Sequence, residues 1–216
     1  MAGRVLIPAV EDALTAYLDR AVPLSGHQAT VSFDPPTPAW AEQTTGRTVS
    51  MFLVGITRSP QPPRASAPRA SSEGRIERRA PLPLVQLSYL VSSWAEDVRA
   101  EHGLLGDVLT RLMTAQVLPE WAVEAELSSS VQVALAADDV LAVTHLWRSL
   151  GAPHRAGFVL QVTVASDAFD WELAPPSVTD VSTSASVLPR PTPGDATTPG
   201  IGPRRSGTPT RGTDQG

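Results

Sequence analysis

Few side chains in this 216-residue chain could carry out chemistry, and their spacing matches no catalytic or metal-binding pattern. The sequence contains no G-x-S-x-G motif, and a phosphate-binding P-loop is impossible because no lysine occurs anywhere. No cysteine is present, which excludes disulfides and thiolate chemistry and leaves the redox compartment undetermined. The sequence therefore predicts no enzyme, no cofactor and no metal site. The four histidines show no metal-ligand spacing either: His27, His102, His145 and His154.

Two short polar motifs have a structural explanation. Glu101 begins a predicted helix, where a carboxylate complements the helix dipole, and His102 is interpreted as a packing residue. Asp138 and Asp139 precede another predicted helix, and we interpret them as its N-terminal cap. Neither motif requires a catalytic role.

The composition is typical of a globular protein that carries additional extended segments. Hydrophobic residues make up 42% and charged residues 18%, but 21 prolines are more than a folded domain needs. Acidic side chains at 11, 12 and 19 interrupt the N-terminal apolar residues, so no signal peptide is predicted. No apolar run reaches the roughly 18 residues that a membrane span requires. We therefore expect a soluble protein made in the cytoplasm.

The elements around these side chains are organised by the stretch from Leu82 to Met113. Residues 82–91 predict a strand that is buried on both faces, as a central strand of a sheet would be. We expect Ser92 and Ser93 to end this strand. An amphipathic helix then follows, whose apolar stripe contains Leu104, Leu105, Val108, Leu109, Leu112 and Met113.

The remaining pattern predicts one α+β domain. We expect helices at 5–22 and 140–150, a loop at 36–47 and further strands at 30–34, 48–57, 131–135 and 158–165. Gly151 should stop the last helix in the left-handed conformation, and Trp147 should anchor that helix in the core. The expected fold is a single domain, residues 1–174, in which three helices pack on a mixed or antiparallel sheet of about five strands. Residues 175–216, rich in Pro, Ser, Thr and Gly, predict a disordered tail.

Residues 58–80 differ in composition from the rest of the domain and predict a mobile Arg/Pro-rich loop. The segment holds six arginines against Glu73 and Glu77, and it has too little apolar surface to offset the entropy of ordering it. It could be a solvated hairpin insertion, or it could contact an acidic protein neighbour. Nucleic-acid binding is not favoured, because no aromatic residues are interleaved with the arginines. The candidate interface residues are Arg58, Arg64, Arg69, Arg75, Arg78, Arg79, Trp94, Trp121 and Arg155.

Four pieces of the sequence carry a resemblance to a known family. They are Val49-Ser50-Met51-Phe52-Leu53, the run from Pro83 to Ser92, Glu101-His102-x-Leu104-Leu105-Gly106, and Leu146-Trp147-x-x-Leu150-Gly151 leading into His154-Arg155. In this order they resemble the N-terminal domain of the cap, or tail-terminator, proteins of extracellular contractile injection systems. These injection systems are phage-tail-like particles of the anti-feeding prophage type.

The resemblance implies structural work. Such a cap would form a homo-hexameric ring at the end of the particle far from the baseplate, end the growth of the inner tube and anchor the last sheath ring. Its partners would be copies of itself and the tube and sheath proteins. The alternative is a non-enzymatic adaptor that recruits a partner through the Arg-rich loop and the tail.

Overall fold

The computed structural model describes residues 6–22, 24, 29–124, 127–136 and 140–175. They belong to one compact unit that ends at Pro175. The tail predicted from residue 175 onward and the cap predicted at Asp138 and Asp139 lie outside the described residues.

Four helices and eight strands make up the described part of the chain. The helices are α1 (Leu6–Ala21), α2 (Pro38–Gln43), α3 (Val98–Thr114) and α4 (Val140–Leu150). The strands are β1 (Ala29–Ser32), β2 (Arg47–Arg58), β3 (Arg69–Ala70), β4 (Ile76–Arg78), β5 (Leu84–Trp94), β6 (Gln132–Leu135), β7 (Gly157–Ala165) and β8 (Glu172–Leu173). A single 3-10 turn, Glu120–Ala122, lies in the connection between α3 and β6.

The main sheet has five strands in the order β1-β2-β5-β7-β6. β1 runs parallel to β2, whereas the other neighbours are antiparallel. The predicted mixed α+β sheet is therefore confirmed, and β5 is its central strand. A bulge between Leu53 and Gly55 shifts the register of β2 against β5.

Each face of the sheet packs against helices through alternate residues of β5. Leu87, Tyr89 and Val91 join the larger core cluster with residues of α1 and α3. Leu90 and Trp94 point to the other face, where they pack against Trp147 of α4. Because both faces carry apolar residues, the strand reads in sequence as a nearly continuous apolar run.

Three local predictions were wrong. β5 does not end at Ser92 and Ser93; both serines are buried and pair with β2, because backbone pairing in a central strand outweighs the low strand preference of serine. The predicted loop at 36–47 contains α2, whose start is capped by the Thr37 side chain with Pro38 at the first position, so the described residues form four helices rather than three. Met113 does not lie on the buried stripe of α3, since its side chain is 63% exposed.

The other helix predictions agree with the structure. α4 covers the residues predicted for the last helix, Gly151 ends it at φ +66°, and Trp147 is 1% exposed in the core. β3, β4 and β8 form a second, three-stranded sheet. Two of its strands lie inside the Arg-rich segment 58–80.

Candidate functional site

Among the described residues, no group of three or more His, Asp or Glu side chains could hold a metal ion. None of the helices in this part of the chain is long and apolar enough to cross a membrane. The nine predicted interface residues fall into three places on the domain: the Arg-rich segment, the contact between Trp94 and Arg155, and Trp121.

The Arg-rich segment folds into a hairpin that is held by ion pairs within the chain. Arg69 contacts Glu77 at 2.8 Å in the neighbouring strand, and Arg75 contacts Glu73 at 2.7 Å in the turn. Arg79, whose side chain is only 10% exposed, reaches Asp167 at 3.3 Å. These three arginines therefore stabilise the hairpin and its attachment to the domain.

Trp171 joins the hairpin to the segment that follows β7. The guanidinium carbons of Arg69 and Arg79 lie 4.3 and 4.9 Å from the centre of its ring. Such cation–π contacts are worth about 0.5–1 kcal/mol each at exposed sites. The segment is thus a hairpin, whereas its mobility and its contact with an acidic protein neighbour stay predictions.

Arg58, Arg64 and Arg78 are the arginines of this segment that form no ion pair within the described residues, whereas Arg69 and Arg75 are paired but still 54% and 61% exposed. The three unpaired arginines are exposed as well. Arg58 is the last residue of β2, and Arg64 bridges to Leu82, so both lie beside the start of β5. The unpaired positive charge is therefore smaller than the six arginines of the sequence suggested.

Trp94 and Arg155 are in contact, but little of either side chain is open to a neighbour. Trp94 is 6% exposed and packs edge-to-face against Trp40 and Trp147, with ring centres 5.2 and 6.3 Å away. The guanidinium of Arg155 lies 3.9 Å from the Trp94 ring centre and forms an ion pair with Glu101. This contact ties the segment before β7 to the start of α3. It gives Glu101 a long-range partner that its position in the sequence did not reveal.

A second ion pair lies at the end of β5 next to this contact. Arg47 Nε donates to Glu96 Oε2 at 3.0 Å, and this hydrogen bond together with the positive charge lowers the pKa of the Glu96 carboxyl to about 2. The group is exposed to solvent, so its charge is screened by salt. A cavity of about 280 Å³ is lined by residues near both ion pairs, among them Thr44, Trp94 and Arg155.

Trp121 offers the most accessible aromatic surface among the predicted residues. It is 44% exposed, stacks on Tyr17 with ring centres 6.1 Å apart, and lies under Arg20, whose guanidinium carbon is 4.4 Å from the ring centre. Two further exposed apolar side chains are close in sequence: Met113 in the last turn of α3 is 63% exposed, and Val117 in the connection after α3 is 47% exposed. Exposed apolar side chains that occur together mark contact surfaces more often than scattered ones do.

One surface that sequence reasoning missed is the outer edge of β2. β1 pairs only with Arg47–Ser50, so residues 51–58 hydrogen-bond to β5 on one side and to no other described strand. A twelve-residue run of apolar and β-branched residues predicts a strand, but it does not show which neighbours the strand will have.

The comparisons with known proteins point in one direction. A family model described as the Pvc16 N-terminal domain matches residues 9–179. A sequence comparison with curated proteins finds no match.

Two solved structures resemble the fold. The first is the PVC sheath/tube terminator of an extracellular contractile injection system in the extended state, with 20% identity and a TM-score of 0.60 over 85% of this chain and 64% of that one. The second is the tube-terminating cap of the anti-feeding prophage, with 21% identity and a TM-score of 0.53 over 83% of this chain and 60% of that one. The chain thus spans less than two thirds of the length of either structure, and the likeness establishes a shared fold.

Proposed function

Because this chain belongs to the Pvc16 N-terminal domain family, we propose that it is a structural cap, or tail terminator, of a contractile phage-tail-like injection particle. It ends the growth of the inner tube and anchors the distal sheath ring. The proposal is supported above all by the agreement between this α+β domain and two terminator structures over more than four fifths of the chain.

A terminator must expose a distal surface that differs from the surface of the tube layer to which it binds. A tube of stacked identical rings exposes the same unpaired surface after every layer, so growth has no intrinsic end. A terminator has one surface that fits this layer and another that offers no place for the next subunit. A closed ring of copies further requires two different contact surfaces on each subunit. We propose a homo-hexameric ring of this kind, with the tube and sheath proteins as its other partners.

The surfaces of the domain suit such contacts. The exposed side chains of Met113, Val117 and Trp121 are apolar, whereas the exposed arginines 58, 64 and 78 are charged, and heterologous contacts require two surfaces that differ in this way. Trp94 and Arg155 would act by shaping the fold, because most of their surface is covered within the chain. No step of this function needs a catalytic group, and we propose that the chain is not an enzyme.

The adaptor alternative has less support. It relies on a strongly basic segment as the recruiting surface, and three of the six arginines in that segment are paired with carboxylates of the same chain. Arg58, Arg64 and Arg78 are then the arginines whose charge is not already matched by a carboxylate among the described residues.

Deletion of the gene in its native host tests the proposal. Electron micrographs should show intact baseplates, tubes of irregular length, and sheaths that are loosely held or contracted early. Complementation with the natural chain should restore uniform particles. The His102→Ala variant should restore them as well, because His102 is exposed at the start of α3 and is not the packing residue that the sequence predicted. Particles of normal and uniform length with a closed distal end in the deletion strain would refute the terminator function.

A further inference from the structure

The main sheet has one closed edge and one open edge. At the β6 edge the chain covers its own backbone: the Leu118 amide donates to the Val131 carbonyl at 2.8 Å, and the Val133 amide donates to the Gln116 carbonyl at 3.0 Å. At the opposite edge, β1 accompanies only the first four residues of β2. The chain then turns away at Pro35 and Pro36, and proline cannot donate to a neighbouring strand.

The open edge is long enough to pair with a strand of ordinary length. β1 leaves residues 51–58 unpaired on this side, and because Met51 is 0% exposed, the accessible part is residues 52–58, which span about 24 Å at roughly 3.4 Å per residue. Within the described part of the chain, no hydrogen bond reaches the side of these residues that faces away from β5. Backbone amides and carbonyls in such a row are a template for another strand.

The side chains along this edge define what the other strand should contain. Leu53 and Val54 are half-buried and belong to opposite core clusters, so apolar surface borders the edge on both faces. Ile56 is 55% exposed, and Arg58 is exposed without an ion pair. Apart from the bulge at Leu53–Gly55 and the arginine at the end, the edge lacks the charges and prolines by which proteins usually block strand addition.

We propose that this edge binds an extended segment of another protein by strand addition. The segment carries apolar, β-branched residues beside Leu53–Ile56 and a carboxylate beside Arg58. Main-chain hydrogen bonds supply the affinity, and the apolar residues and the carboxylate supply the specificity. The proposal adds a mode of partner binding to the proposed cap, but it does not depend on it, since the edge is a property of the single chain.

Hydrogen exchange of the purified full-length chain with synthetic peptides tests this proposal. Two acetylated seven-residue peptides alternate threonine and valine and carry one glutamate, at the N-terminal end in one and at the C-terminal end in the other. The two peptides cover antiparallel and parallel pairing. When the peptide that binds is present at about ten times its Kd, only about one chain in ten is free. Exchange of alternate amides in residues 51–58 should then slow about tenfold, because these amides do not exchange in the bound chains.

Matched variants make the result specific. Ile56→Asp should abolish the protection, whereas Ile76→Asp should not, because Ile76 is equally exposed at 56% but lies in β4 of the other sheet. Arg58→Gln should weaken the binding of the glutamate peptide roughly two- to fivefold, which is the range expected for an exposed ion pair. The binding of an analogue with glutamine in place of glutamate should not change.

Four results would overturn the proposal. The first is the absence of protection with either peptide. The second is equal protection by a peptide in which proline replaces the central valine. The third is protection confined to the edges of the small sheet. The fourth is protection that needs no peptide and grows with protein concentration, since it would show that the edge pairs with a second copy. None of these results bears on the tube lengths that test the cap function.

Discussion

Gly157, the first residue of β7, is expected to tolerate no side chain. It lies opposite Ser92 of β5, and a Cβ atom built on it would be 2.7 Å from the Val91 carbonyl oxygen. Ordinary carbon–oxygen contacts begin near 3.3 Å, so the two central strands would have to separate locally. The obstacle is backbone rather than a flexible side chain, and it lies between two strands that pair from Leu84 to Ser92 of β5.

The cost of Gly157→Ala follows from two opposing effects. Forcing a methyl group into a packed region costs about 1–3 kcal/mol. Replacing glycine also reduces the conformational entropy of the unfolded chain, which raises the free energy of unfolding by about 0.4–1 kcal/mol. The net loss should be about 1–2 kcal/mol, which for a domain of this size lowers Tm by about 2–8 °C.

Gly106→Ala is the matched control. Gly106 lies inside α3, and a Cβ there would have no atom within 4 Å apart from its chain neighbours and the backbone of its own helix. Alanine is favoured over glycine in a helix by about 0.8–1 kcal/mol, so this variant should melt about 2–4 °C higher than the natural chain. Thermal and urea unfolding of the three proteins, followed by circular dichroism, measure both effects. A Gly157→Ala protein that is as stable as the natural chain would refute the close approach of β5 and β7.

Three further predictions concern the core, the pH dependence and the tail. Trp147→Ala should lower the free energy of unfolding by about 3–5 kcal/mol and give largely insoluble protein, because this 1% exposed side chain fills the second core cluster. A soluble, stable variant that fails to assemble would instead place Trp147 at an interface. Burial, and secondly the charge of Asp12, raise the pKa of the Glu11 carboxyl in the folded protein. The protonated carboxyl therefore stabilises the fold relative to the charged one, and this stabilisation is present below pH about 4 and is lost as the pH rises through the folded-state pKa. Glu11→Gln should therefore raise Tm near pH 7 but not near pH 3, whereas Asp19→Asn, at an exposed position, should not show this difference. An equal change in Tm for Glu11→Gln at both pH values would contradict the proposed cause. A chain ending at Pro176 should melt within a few degrees of the full chain, and a larger fall would show that residues 177–216 dock on the domain.

Much of the fold could be predicted because hydrophobic periodicity reports local structure. The alternation in β5 and the 3.6-residue period of α3 and α4 are properties of neighbouring residues, so they identified these elements and the buried position of Trp147. α2 was missed because six residues with prolines nearby show no clear period, and only the Thr37 cap marks its start.

The candidate surfaces could be predicted only in part. The sequence identified which arginines and tryptophans stand out, but it could not show which arginines form ion pairs within the chain or which tryptophans are buried. Arg79 meets Asp167 and Arg155 meets Glu101 across separations of 88 and 54 residues, and such partners are chosen by how the strands and helices pack.

The sequence by itself therefore determined the type of fold, its central strand and the absence of recognisable catalytic motifs, because each depends on residue types at short spacing. Only the tertiary structure decided that three arginines of residues 58–80 are held by carboxylates, that Trp94 is covered while Trp121 is exposed, and that β2 keeps an open edge. The physical reason is that ion pairing, burial and strand order are relations between distant segments. A residue pattern of period two is the same whether a strand has one neighbour or two.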